Sequence, residues 1–193
     1  MANIKVMIDP GRSPYEQNGG TGGYFEHKGM WLLSNYLAKE LQACGFKAKL
    51  TRQQNEVVSL WERGRRAAEW GADVFISEHS ASSGNGKKRC VEAYYSIARP
   101  KDLSLANFLT AATAKVMNNH DLGGKTKTAI CNPKADFYTV IQSAQTGGVA
   151  HAILMSNGFH DNPEDEEFLL RDENLRKIAE AQAKAIAVYF GIN

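Results

Sequence analysis

The chain has 193 residues, 43% of them apolar and 23% charged, a balance that excludes a disordered segment and suits one domain with a well-buried core over residues 1–193. Twenty-three basic and 21 acidic residues leave a net charge of +2, too close to neutral and too interspersed for a nucleic-acid footprint. No apolar run has the length of a bilayer span, and the first residues lead into a strand pattern rather than an export signal, so cytoplasmic synthesis with no membrane partner is expected.

Ile4 to Ile8 is a short, mostly apolar run that fits a buried parallel strand. A Gly-rich loop follows, and Met30, Leu33, Leu37 and Leu41 then repeat at helical spacing up to a stop at Gly45. Lys47 to Thr51 suits a second strand. Ser59-Leu60-Trp61-Glu62 has the Ser-x-x-Glu pattern of a capping box, opening a helix that ends near Gly71. Val74 to Ser77 and Val91 to Ser96 are the next strands, and Leu103 to Met117 is a helix. Phe137 to Ile141 and Ala152 to Met155 complete the strands. A last helix follows Asp172, with Leu175, Ile178, Ile186 and Tyr189 on one face. Strands separated by helices of this length imply parallel pairing through crossovers, so the expected fold is a three-layer α/β/α sandwich with a mostly parallel central sheet.

Cys44, Cys90 and Cys131 are odd in number and contain no Cys-x-x-Cys pair, and they are read as reduced structural cysteines. The run Gly19-Gly20-Thr21-Gly22-Gly23 lacks the spacing of a phosphate-binding loop. Three segments end predicted strands instead: Ile8 to Ser13, Ile76 to Ala81 and Met155 to His160. Ligands of open α/β sheets bind at the carboxyl ends of strands, so these three converge on one candidate site.

These segments resemble those of the zinc-dependent N-acetylmuramoyl-L-alanine amidases, the domain type of cell-separation and sporulation amidases and of many phage endolysins. The resemblance covers nearly the whole chain. It rests on Ile8-Asp9-Pro10-Gly11, Tyr24-Phe25-Glu26, Val58 to Gly64, Ala72 to Ser77 before His79, and Gly158 to Asp165, in the family's order. It implies a zinc ion held by a His after Asp-Pro-Gly, a Glu at the start of the first helix and a His after the third strand, with a second Glu before Gly-Phe as catalytic base. Glu26 and His79 match the second and third ligands. Position 12 is Arg instead of His, and position 156 is Ser instead of Glu.

The chemistry of those two changes is severe. A catalytic zinc takes three protein ligands and a water, whereas a guanidinium stays protonated and has no lone pair to donate. Arg12 therefore repels a metal, and its side chain either pairs with Glu26 through a two-pronged contact or points to solvent. Ser156 cannot accept a proton as a carboxylate does.

The remaining histidines, His27, His120, His151 and His160, are read as structural, with His160 nearest to the site by position. Glu78 faces away from His79 by strand alternation. Glu92, in a segment similar to the family's Gly-x-Glu strand, supports the architecture, and Trp31, Trp61 and Trp70 are packing residues rather than a sugar platform. The expected function is that of a peptidoglycan-directed domain of the amidase type, binding peptidoglycan or muropeptides with impaired or absent hydrolysis. The alternative is an active zinc amidase with a modified metal site. Either would act at the cell wall after release or delivery by a partner.

Overall fold

The computed structural model describes residues 3–192. Its elements are β1 (Lys5–Pro10), α1 (Glu26–Ala43), β2 (Lys47–Leu50), α2 (Leu60–Glu69), β3 (Val74–Ala81), β4 (Cys90–Tyr95), α3 (Asp102–Met117), β5 (His120–Lys125), β6 (Thr128–Ala129), β7 (Asn132–Asp136), α4 (Thr139–Thr146), β8 (His151–Phe159), α5 (Pro163–Leu169) and α6 (Asp172–Tyr189). Six strands form one sheet in the order β2-β1-β3-β8-β4-β5, and β6 pairs with β7 in a separate hairpin. Neighbours in the sheet run parallel except β4 and β8, which are antiparallel. The sheet is thus mostly parallel, with one reversal between its two halves.

Alternation along the strands feeds two apolar layers. Val6, Ile8, Ile76, Ile153 and Met155 meet α1, α3 and α6 on one face, while Met7, Phe75, Ala152 and Leu154 meet α2 and α4 on the other. Ser59 caps α2, its hydroxyl accepting from the Glu62 amide at 3.2 Å, but the reciprocal half of the box is replaced, since the Glu62 carboxylate accepts from Arg65 and Arg66 instead. The approach of α2 to α4 is close: a Cβ on Gly64 would lie 2.3 Å from the Ala144 amide nitrogen.

Several expectations are corrected. Phe137–Ile141 is not a strand, because Val140, Ile141 and Ala144 recur at helical spacing and bury one side of α4 against the sheet. A five-residue run, apolar but for Thr139, cannot distinguish the two periods. The sequence pattern leaves out a strand, β5, which His120 opens once Asn118 has terminated α3 in the left-handed conformation at φ +46°. Strands β3 and β8 run on past Ser77 and Met155 to Ala81 and Phe159, which places His79 and Ser156 inside paired strands, directly opposite each other. Among the described residues, no helix is long and apolar enough to cross a membrane.

Candidate functional site

The site is built on a buried carboxylate. Asp9, near the end of β1, accepts from the Thr51 hydroxyl at 2.5 Å, the Ser77 hydroxyl at 2.7 Å and Arg63 Nη1 at 3.1 Å. Arg63, only 2% exposed, also donates to the carbonyls of Val58 at 3.1 Å, Pro10 at 2.7 Å and Arg12 at 2.7 Å. Arg52 adds bonds to the carbonyls of Pro10 at 3.2 Å and Gly11 at 3.3 Å. Two guanidinium groups thus gather three successive carbonyls and fix the loop after β1. Gly11 is required there, because a Cβ would sit 2.6 Å from His79 Nδ1. Arg12 follows with φ +64°, a left-handed backbone that costs a non-glycine residue about 1 kcal/mol or more and persists only when its surroundings hold it.

Held this way, the Arg12 side chain turns to Glu26. Glu26 is fully buried at the first turn of α1, where the helix N-terminus favours negative charge. Its Oε1 accepts from His79 Nδ1 at 2.8 Å, and its Oε2 accepts from Arg12 Nε at 2.9 Å and Asn18 Nδ2 at 2.5 Å. Burial pushes the Glu26 carboxyl up, but the hydrogen bond from His79 and the charge of Arg12 outweigh it and hold the group down at about 2. Of the two orientations open to Arg12, the structure adopts the one facing Glu26. The contact is not two-pronged on one carboxylate, however: Nε meets Glu26 while Nη1 reaches Glu16 at 3.5 Å, so the guanidinium bridges two acids. His79 has its second ring nitrogen 3.0 Å from the Ser77 hydroxyl.

Arg12, Glu26, His79 and Ser156 all line one cleft of about 470 Å³, together with Leu60, Phe137 and Tyr138. Ser156 is 5% exposed, and its neighbours across the sheet are His79 on β3 and Glu92 on β4. The other histidines stand apart from this cluster. His27 turns to the Glu16 carbonyl at 2.9 Å, His160 bonds the Ser80 hydroxyl at 2.8 Å in the interior, and His151 pairs with Asp102 at the opposite end of β8. Glu78 points through the other face of the sheet to Asn157. Asn18, Arg52 and Arg63 are contributors that the sequence leaves unmarked: Asn18 lies in a loop without periodicity, and Arg63 is visible only as part of a helix-opening motif.

The donor set does not fit a catalytic zinc. Glu26 and His79 supply one oxygen and one nitrogen, Arg12 beside them brings a guanidinium with no lone pair, and no group of three or more His, Cys, Asp or Glu among the described residues could hold a metal ion.

The sequence profile described as N-acetylmuramoyl-L-alanine amidase matches residues 6–188. The chain is 29% identical to the N-acetylmuramoyl-L-alanine amidase CwlM of Bacillus licheniformis, over 98% of this chain and 70% of that protein. It is 27% identical to the sporulation-specific N-acetylmuramoyl-L-alanine amidase of Bacillus subtilis, over 98% and 69%. Its fold superposes on Cwp6 from Clostridium difficile with a TM-score of 0.85 at 25% identity, covering 97% of this chain but 29% of that one. The catalytic domain of CwlV from Bacillus (Paenibacillus) polymyxa gives a TM-score of 0.84 at 22% identity, covering 98% and 99%. With the profile running from β1 to the end of α6 over the same strands that carry Asp9, His79 and Ser156, the chain belongs to the N-acetylmuramoyl-L-alanine amidase family.

Proposed function

We infer that this amidase-type domain binds peptidoglycan in the cleft over Glu26 and His79 and does not hydrolyse it by the family's zinc chemistry. The observation that carries this reading is the 2.9 Å contact between Arg12 Nε and Glu26 Oε2. A divalent cation would have to displace the guanidinium from that carboxylate or share it. Unit positive charges about 4 Å apart repel by roughly 4 kcal/mol at an effective dielectric of 20, and a double charge doubles the cost. The base is missing as well. Ser156 offers a neutral hydroxyl where proton abstraction needs a carboxylate or imidazole, and loss of a general base typically removes a factor of about 10² to 10⁴ in rate. The cleft combines apolar and aromatic lining, Leu60, Phe137, Tyr138 and Val140, with a few polar groups, the usual make-up of a small-ligand site.

The test combines metal analysis with a wall assay. Wild-type protein is expected to carry well under one equivalent of zinc and to sediment with purified sacculi without releasing soluble peptides. Arg12→His with Ser156→Glu is expected to bind one zinc per chain and to melt higher in its presence, by about 2.7 kcal/mol of added stability at a hundredfold excess over Kd. Stoichiometric zinc together with peptide release by wild type overturns the reading. A double variant that takes up no zinc shows that positions 12 and 156 are not the altered site positions.

A further inference from the structure

We propose that Lys88 and Lys125 form a carboxylate-binding subsite, beside the cleft, for the acidic peptide arm of the ligand. The proposal rests on the peptidoglycan reading above and adds to it what part of the ligand is recognised and where.

The two lysines come from different elements, Lys88 from the loop between β3 and β4 and Lys125 from the end of β5. They converge on one oxygen. Glu92 Oε2 accepts from Lys88 Nζ at 2.9 Å and from Lys125 Nζ at 2.6 Å, while Oε1 accepts from the Tyr94 hydroxyl at 2.8 Å. The Glu92 side chain is 4% exposed, but those of Lys88 and Lys125 are 40% and 38% exposed. Each ammonium has three N–H donors and engages one with Glu92, and its partial exposure leaves donor capacity for a ligand. Each ammonium is also held over a ring face, Lys88 Nζ 4.4 Å from the Phe159 centroid and Lys125 Nζ 5.1 Å from the Tyr94 centroid. One carboxylate facing two ammonium groups leaves an uncompensated positive charge. Lys127, 3.8 Å from the Phe137 ring centroid, adds a second on the same side.

The sheet register ties this charge to the cleft. Glu92 lies opposite Ser156, and Ser156 lies opposite His79. At about 4.8 Å per strand, Glu92 is roughly 10 Å from His79, the reach of about three residues of extended chain. The aromatic surface is continuous as well, since the Tyr94 ring packs at a tilt, 4.7 Å between centroids, on Tyr138, which lines the cleft. A muramoyl peptide with its first amide over Glu26 and His79, running across the strands, therefore brings a carboxylate on its second or third residue to Lys88 and Lys125. A neutral peptide arm would leave those donors unmatched.

Two synthetic N-acetylmuramoyl tripeptides test this, identical except that the second residue carries a free α-carboxylate in one and a carboxamide in the other. Wild type is expected to bind the acid at least tenfold more tightly in calorimetric titration, with the preference shrinking as salt is raised. The variant Lys88→Gln, Lys125→Gln, Glu92→Gln removes the buried charge together with its counter-ions, so that no uncompensated carboxylate remains. It should bind both peptides with the affinity wild type shows for the amide, while Lys88→Arg with Lys125→Arg keeps the preference. Equal binding of both peptides by wild type, or a preference that survives in the triple variant, overturns the subsite. If wild type sediments with sacculi yet shows no preference, the subsite alone fails. If it binds neither peptide nor sacculi, the peptidoglycan reading fails with it.

Discussion

Glu78 sits next to His79 in sequence but faces the opposite layer, fully buried, with Oε2 accepting from Asn157 Nδ2 at 2.6 Å and Oε1 without a partner. Burial pushes its carboxyl up to about 7, against the pull of the Asn157 bond. In the unfolded chain the same group titrates near about 4.3. Below that pH both states are protonated and Glu78 imposes no pH dependence. Between the two values the unfolded chain ionises first, so stability falls as pH rises, and above about 7 it levels off at its lowest. Glu78→Gln is therefore expected to raise stability at pH 8 by on the order of 2 kcal/mol, about 5 °C in Tm, and to change little at pH 4. Thermal melts at the two pH values check this, and an equal gain at both would refute it. At this scale the sequence was informative about identity and silent about distance. Residue types at positions 12, 26, 79 and 156 could be read directly, whereas the hydrogen bond from Asn18 and the second acid at Glu16 depend on how an aperiodic loop closes.

Among the elements, α2 does the most to shape the site without lining its centre. Its Arg63 reaches back to Asp9 and to the carbonyls of Pro10 and Arg12, so the helix holds the loop that aims Arg12. Arg63→Met would leave the Asp9 carboxylate buried beside an apolar chain, an arrangement that typically costs about 3 to 5 kcal/mol. Urea denaturation should show that loss, and adding Asp9→Asn should recover part of it, because the uncompensated charge is then gone. A loss below about 1 kcal/mol, or no recovery, would show that the pair does not hold the loop. The opening of α2 was legible from Ser59 and Glu62, whose spacing is a local rule. The stretch 137–141 was not legible, since its helical character depends on Ala144 beyond the run and on packing against Gly64. β5 was hidden for a similar reason: Gly123 and Gly124 weaken any strand signal, and the element exists because β4 offers it an edge.

Across the whole molecule, one sheet serves both apolar layers, so neither layer has an independent partner to pack on. The fold class was readable for that reason, because alternating strand and helix periods in a chain of this length leave few arrangements. The reversal at β4 was not, since strand direction is set by the course of the connections and not by side-chain pattern. Residues 1–193 are expected to unfold as a single cooperative unit. Calorimetric and van't Hoff enthalpies should agree, and two resolved transitions would assign the β4–β5 side to a separate folding unit. The Arg12 guanidinium gives the cleft one further property. A positive charge built into the polypeptide cannot be stripped by a chelator or lost by dilution, so the ion pair between Arg12 and Glu26 is present wherever the chain is folded.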